Sequence, residues 1–203
     1  MSKALGRRKA LWGAAVVWAV ATVVIVVVNG LVRFGEVLVG PSISMYVGYE
    51  AWSVGVFLAV NGLLVAAMAR YLAPLKKEMG RVWWGLGVVV MGGLMAVSVF
   101  PWGFFDEGGA ISVMHRVAAY TMFGAAVPFV ALTMGKFRER RGLRVLAWGF
   151  LGYALACLVL MAVWSGWWDM KLPLEAIYVA MMMGVILGVP GVVEYGGIEP
   201  PTS

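Results

Sequence analysis

The chain alternates between six long apolar runs and short polar connections. The apolar runs cover residues 11–32, 51–70, 82–99, 112–134, 143–163 and 174–192. A helix of about 20 mostly apolar residues crosses the ~30 Å hydrocarbon core of a bilayer, so the pattern predicts an all-α fold with six transmembrane helices. The composition, 63% hydrophobic and 13% charged, excludes an ordinary soluble domain, because one core could not bury so much apolar surface.

The first apolar run is interpreted as a retained helix and not as a secretory signal. Its roughly 22 residues exceed the ~7 to 15 apolar residues of a signal peptide, and no convincing small-residue cleavage site follows it. The longest connections, 33–50 and 100–111, are too short for a separate soluble domain. Residues 1–203 are therefore expected to form a single transmembrane domain that ends in a flexible tail, 193–203.

Basic residues fall almost entirely on one side of the predicted bundle. Thirteen of the 16 Lys and Arg residues lie there, and the other side has only Arg33, Arg116 and Lys171. Short basic loops tend to remain cytoplasmic, so both termini are expected in the cytoplasm and the protein in the cell (inner) membrane. The net charge of +6 does not indicate nucleic-acid binding, because the basic residues adjoin the spans, where orientation and anionic lipids account for them.

The predicted spans contain few polar side chains. No acid or lysine lies mid-span, which disfavours an ion or proton pathway and makes a small-solute transporter the third choice of function. Asn61, near the centre of the second span, is the clearest buried polar group. A hydrogen bond between helices is its preferred interpretation, and a ligand-binding role is the alternative.

The polar residues with the richest chemistry lie between the third and fourth runs. Asp106 and Glu107 precede His115 and Arg116 there, on the side opposite the basic residues. His115 and Arg116 fall near the amino end of a predicted helix, whose partial positive charge makes an opposing acid favourable. Asp106 and Glu107 can supply that charge, and so can acids from the other connections on this side: Glu36, Glu50, Asp169 and Glu175.

Three interpretations of this cluster stay open. In the first, Arg116 pairs with an acid and His115 hydrogen-bonds a loop carbonyl, which fastens the loop to the bundle. In the second, Arg116 and His115 bind an anion such as a lipid phosphate. In the third, His115 is a general base oriented by Asp106 or Glu107. Neither a metal nor a cofactor is expected, because zinc and haem would need ligands that one histidine and scattered methionines do not supply.

Short motifs give the chain a likeness to one known family. Span three ends in Val99-Phe100-Pro101, Asp106 follows, His115 precedes Ala118-Ala119, and span two contains Asn61-Gly62-Leu63. In these features the chain resembles the bacterial and archaeal six-helix membrane proteins catalogued as domain of unknown function 998. The resemblance implies six helices and an outer site in which Asp106 and His115 correspond to the family's polar motif. It implies no reaction, because the family has no settled activity.

Small residues recur at four-residue intervals on several spans, as helix packing in lipid requires: Ala51, Gly55 and Ala59, then Gly152 and Ala156, then Gly184 and Gly188. Such faces suit contacts within the bundle or between copies. The expected function is therefore a non-catalytic membrane protein, either an accessory subunit of a larger complex or homo-oligomer, or a binder of membrane lipids or another amphiphile. The alternative is an enzyme acting on lipid-like substrates. The absence of glutamine also hints at a thermophilic prokaryote.

Overall fold

Every regular element that the structure describes is helical. The computed structural model describes residues 2–34, 43–48, 50–101, 109–137, 139–163 and 171–189. The elements are α1 Ser2–Phe34, α2 Ile43–Gly48, α3 Ala51–Leu72, α4 Lys76–Met79, α5 Arg81–Val99, α6 Ala110–Lys136, α7 Arg141–Val163 and α8 Lys171–Gly188, with a 3₁₀ turn Ala73–Leu75 between α3 and α4. The all-α prediction is confirmed.

Five helices are long and apolar enough to cross a membrane, and they coincide with the first five predicted runs. α1 is longer than predicted: its 33 residues correspond to about 50 Å, and its apolar part runs from Leu5 to Val32. The sixth run, 174–192, overlaps α8, whose apolar part Leu174–Gly188 is shorter than the other five. The last residues of that run, and the predicted tail, lie outside the described residues.

The six long helices pack side by side in a closed ring. Each contacts the next in the order α1, α3, α5, α6, α7, α8, and α8 returns to α1. At one end of the ring the Tyr71 hydroxyl, near the end of α3, donates to the carbonyl of Val189, which follows α8. At the other end His115, near the start of α6, contacts the residue that follows α5. We call these the basic end and the His115 end.

The connection from α3 to α5 shows how the sequence ends one helix and starts another. Pro74 has no N–H to donate, so the α-helix gives way to the 3₁₀ turn. Gly80 has a φ of 88°, a left-handed conformation that only glycine adopts without strain. The Lys76 ammonium lies 5.8 Å from the centre of the Trp84 ring, which seats this connection against α5.

The closest helix contact joins α5 and α6. A Cβ added to Gly93 would lie 2.6 Å from the Cβ of Met122, so only glycine permits this approach. Farther along the same pair, Trp83 stacks on Phe129 at 5.0 Å between ring centroids, and its indole nitrogen donates to the Thr133 hydroxyl at 2.8 Å. This tight pair places the end of α5 beside the start of α6.

The small-residue faces named in the sequence analysis divide into two groups. Gly188 makes a close contact, since an added Cβ would lie 3.1 Å from a methyl carbon of Leu143 on α7. Gly55 and Gly152 have no atom within 4 Å of such a Cβ, and both are exposed. The face of α3 that contains Gly55 therefore points away from the bundle, whereas the tightest approach is at Gly93, which the four-residue pattern does not include.

Two short helices, α2 and α4, fall where only connections were predicted. Within the connection 33–50, α2 covers Ile43–Gly48 and packs on α1 and α3. Tyr46 and Val47 are buried there with Ile25 and Phe57 in a second apolar cluster at the His115 end. The Asn29 side-chain nitrogen donates to the Tyr46 carbonyl at 2.5 Å and to the Ser53 hydroxyl at 3.1 Å. These bonds hold α2 against the bundle.

Candidate functional site

His115 is buried near the start of α6, with only 5% of its surface exposed. Its Nδ1 lies 2.6 Å from the carbonyl oxygen of Phe100, the residue that follows α5. A carbonyl can only accept a hydrogen bond, so Nδ1 carries a proton and donates it. The contact predicted by the fastening interpretation, a hydrogen bond from His115 to a carbonyl of the α5–α6 connection, is therefore present.

Arg116 is the other member of the predicted cluster that the structure describes. Arg116 is exposed on α6, and its Nε donates to the Ser112 carbonyl of the same helix at 3.4 Å. Asp106 and Glu107 lie outside the described residues. The proposed roles of Asp106 and Glu107 as orienting acids or ligand contacts stay predictions.

Asn61 connects three helices. Its amide oxygen accepts a hydrogen bond from the Trp18 indole nitrogen of α1 at 2.7 Å, and its amide nitrogen donates to the Ser98 hydroxyl of α5 at 2.6 Å. Ser98 in turn donates to the Leu94 carbonyl at 3.0 Å. Asn61 is fully buried, so both ends of its amide contact protein. This geometry suits the helix-joining interpretation, and a ligand-binding role for Asn61 stays a prediction.

A small cavity lies inside the ring, beside His115. The central cavity has a volume of about 50 Å³. His115 and Glu175 give it polar groups, and side chains of α1, α3, α5, α6 and α8 complete the wall, among them Trp18, Phe57, Leu94, Met122, Phe123 and Val179. A water molecule occupies about 30 Å³ in the liquid, so this space suits water or a small ion and not a lipid.

Among the residues that the structure describes, Glu175 is the acid that lines the same cavity as His115. The sequence analysis grouped it with acids of the outer connections, but it lies inside α8 and lines the same cavity as His115. Its Oε2 accepts a hydrogen bond from the backbone N–H of Ile43, at the start of α2, at 3.1 Å. The bond fixes the carboxylate at the His115 end. The amphipathic pattern of α8 could have suggested its inward position, but no spacing rule pairs it with α2.

A larger apolar groove opens on the side of the bundle. The lateral groove lies between α6, α7 and α8 and has a volume of about 310 Å³. It is lined by Tyr120, Phe123, Gly124, Val127, Ala154, Cys157, Leu158, Leu174, Glu175 and Tyr178. Phe123 and Glu175 belong to both linings and so separate the groove from the central cavity.

Aromatic contacts hold the wall of the lateral groove in place. Tyr178 meets Phe123 edge to face at 4.8 Å between ring centroids, and its hydroxyl donates to the Phe123 carbonyl at 2.7 Å. Phe150 packs on the other side of Tyr178 at 4.7 Å. The Tyr153 hydroxyl donates to the Leu174 carbonyl at 2.9 Å, which joins α7 to the start of α8. The groove is thus a built cleft between fixed helices.

Within the described ranges, no group of three His, Cys, Asp or Glu side chains is placed to hold a metal ion. Comparison of the chain with models of known families, with curated proteins and with solved structures finds no match. The resemblance to the six-helix family catalogued as domain of unknown function 998 therefore stays a prediction.

Proposed function

We propose that this chain is a non-catalytic integral membrane protein that binds a membrane lipid or similar amphiphile. The lateral groove is the observation that supports this. Small-molecule sites are mostly apolar clefts of about 300 Å³ or more with a few polar groups, and the groove meets that description with Glu175 near one end. A hydrocarbon chain is the occupant that its apolar walls suit, because the walls face the region where lipid chains lie.

The proposal includes six spans, with α8 as the sixth. Its 18 residues correspond to about 27 Å, close to the thickness of the hydrocarbon core. α8 packs between α7 and α1 in the ring, so it shares their depth in the membrane. The one-sided distribution of basic residues supports a cell-membrane location with both termini in the cytoplasm, which makes the His115 end the outer end.

In this orientation Arg116 is outward of the lateral groove along α6, although it does not line the groove itself. Residues 116, 120, 124 and 127 recur at helical spacing, so Arg116 is about one turn outward from Tyr120 and about two turns from Gly124 on the same face of α6. The exposed guanidinium is positioned for the phosphate of a lipid whose chain occupies the groove. In this proposal Arg116 binds the anion, and His115 fastens the start of α6 to the residue that follows α5.

A matched pair of glycine substitutions tests the proposal. Gly124→Leu places a side chain in the groove, and the position has open space around an added Cβ. Gly152→Leu is the control, because Gly152 is equally open but does not line the groove. Native mass spectrometry of protein extracted from its own membrane should show bound lipid on the wild type and the control, and loss of most of it on Gly124→Leu. Equal lipid retention by all three would refute the proposal.

The enzyme alternative has one observation in its favour, because His115 and Glu175 line the same cavity. A histidine beside a carboxylate can serve as a general base. The central cavity of about 50 Å³ is far below the size of a lipid-like substrate site, however, so catalysis there would require the helices to part. Homo-oligomer formation or assembly into a larger complex through the exposed Gly55 face of α3 stays a prediction.

A further inference from the structure

Two tyrosines line the lateral groove, and their hydroxyls differ in what they contact. The Tyr178 hydroxyl donates to the Phe123 carbonyl at 2.7 Å. Tyr120 is 54% exposed, and its hydroxyl makes no hydrogen bond to the part of the chain that the structure describes. A tyrosine hydroxyl can donate a hydrogen bond, so Tyr120 offers a donor to a ligand in the groove.

A hydroxyl in an apolar cleft requires a partner. Most of the groove lining is aliphatic or aromatic, and a polar group moved from water into such surroundings loses free energy unless it is hydrogen-bonded. The hydrophobic gain for a lipid chain that leaves the bilayer for the groove is small, because lipid tails are as apolar as leucine. A hydrogen bond from Tyr120 would therefore contribute a large share of the preference for a lipid that accepts it.

The length of α5 indicates the depth of Tyr120 in the proposed membrane position. The 19 residues of α5 span about 28 Å, close to the ~30 Å hydrocarbon core, so its end lies near the boundary with the headgroups. His115 contacts Phe100, the residue that follows α5, and so lies at the same level. Tyr120 is five residues farther along α6, about 7.5 Å deeper. Helical side chains point back toward the amino end, which brings the hydroxyl closer to the boundary.

The oxygens of a bilayer lipid that accept hydrogen bonds lie at this level. The glycerol of a glycerolipid joins the headgroup to the chains, so its linkage oxygens lie at the boundary between headgroups and hydrocarbon. An ester linkage has a carbonyl oxygen and an ether linkage has an ether oxygen, and each accepts a hydrogen bond but donates none. A lipid whose chain lies along the groove thus brings a linkage oxygen to the level of the Tyr120 hydroxyl.

We propose, on the basis of the lipid-binding function above, that the Tyr120 hydroxyl donates a hydrogen bond to a glycerol-linkage oxygen of the lipid whose chain lies in the lateral groove. The ligand class is then a glycerolipid with chains attached by ester or ether bonds. Tyr120 binds this lipid directly, and the contact is independent of the headgroup. Neither the Glu175 carboxylate nor the Arg116 guanidinium takes part in it.

Removal of the hydroxyl alone tests this hydrogen bond on the full chain. The purified protein in detergent is titrated with two phosphatidylcholines whose chains have the same length, one ester-linked and one ether-linked, and bound lipid is counted by native mass spectrometry. Tyr120→Phe should raise the apparent Kd about fivefold, the order expected for one neutral hydrogen bond. A rise confined to one lipid identifies its linkage oxygen as the acceptor, and a rise with both identifies an oxygen that both linkages have.

Thr121→Val is the matched control. Thr121 is the next residue on α6, is exposed and does not line the groove, so its hydroxyl is removed without changing the groove wall. This variant should keep the wild-type Kd for both lipids. An unchanged Kd in Tyr120→Phe with both lipids, or an equal rise in Thr121→Val, would overturn the proposed hydrogen bond. Those outcomes leave the groove itself standing, because the Gly124→Leu comparison measures total bound lipid.

Discussion

Replacing His115 by alanine separates its fastening role from a catalytic one. The substitution removes the 2.6 Å hydrogen bond to the Phe100 carbonyl and empties a buried site. A carbonyl left without its partner costs about 1–3 kcal/mol, and the cavity adds about 1 kcal/mol. The free energy of unfolding should therefore fall by about 2–4 kcal/mol, which lowers the melting temperature of a chain of this size by about 4 to 16 °C.

Two further variants make the His115 measurement specific. Met114→Ala changes the neighbouring residue, which is 50% exposed, and should leave the melting temperature in detergent almost unchanged. His115→Asn keeps an N–H near the position of Nδ1 and should recover part of the loss, although asparagine cannot act as a base. The reasoning is refuted if His115→Ala has the same melting temperature as Met114→Ala, or if His115→Asn has no higher a melting temperature than His115→Ala. A stable but inactive His115→Asn variant would instead favour the enzyme.

Two other predictions concern the contacts that position the site. Gly93→Ala should lower the free energy of unfolding by about 1–3 kcal/mol relative to Gly92→Ala, because an added Cβ meets α6 at 2.6 Å in the first and open space in the second; equal melting temperatures would contradict this packing. Asn61→Leu should destabilise the bundle by about 1–3 kcal/mol, since the Trp18 indole loses its acceptor and the Ser98 hydroxyl loses the donor from Asn61. The melting temperature in detergent measures the loss, and an unchanged melting temperature would argue against the network.

The six predicted runs include five that the structure forms as helices long and apolar enough to cross a membrane, because lipid would impose this length on each helix and leave little else to decide. The same reasoning could not predict α2, since six residues between polar connections leave no run long enough to recognise. The hydrophobic pattern also did not predict which face of each helix points into the bundle. Gly55 and Gly93 are both glycines in apolar helices, yet one faces outward and the other contacts Met122, because neighbouring helices set the rotation.

In the candidate site, too, contacts between residues close in sequence could be predicted, whereas contacts that depend on helix packing could not. The hydrogen bond from His115 to the end of α5 spans only 15 residues, so a local argument anticipated a bond of this kind. The meeting of Glu175 with Ile43 spans 132 residues, and its place in the wall of two cavities follows from α8 closing the ring. An acid near the start of the last apolar run resembles any loop acid until the neighbouring helices are placed.

Phe123 and Glu175 lie between the lateral groove and the central cavity, and their position favours lipid binding over catalysis. Glu175 faces both, so a lipid in the lateral groove reaches its carboxylate directly, whereas His115 lies beyond it in a space of about 50 Å³. A chain of membrane lipid therefore contacts the acid without any helix moving, but it contacts the imidazole only if Phe123 or Glu175 gives way. Lipid binding requires only the conformation described, whereas catalysis by His115 on a lipid requires a second conformation in which Phe123 or Glu175 has moved. That difference favours a lipid-binding protein whose histidine holds α5 to α6.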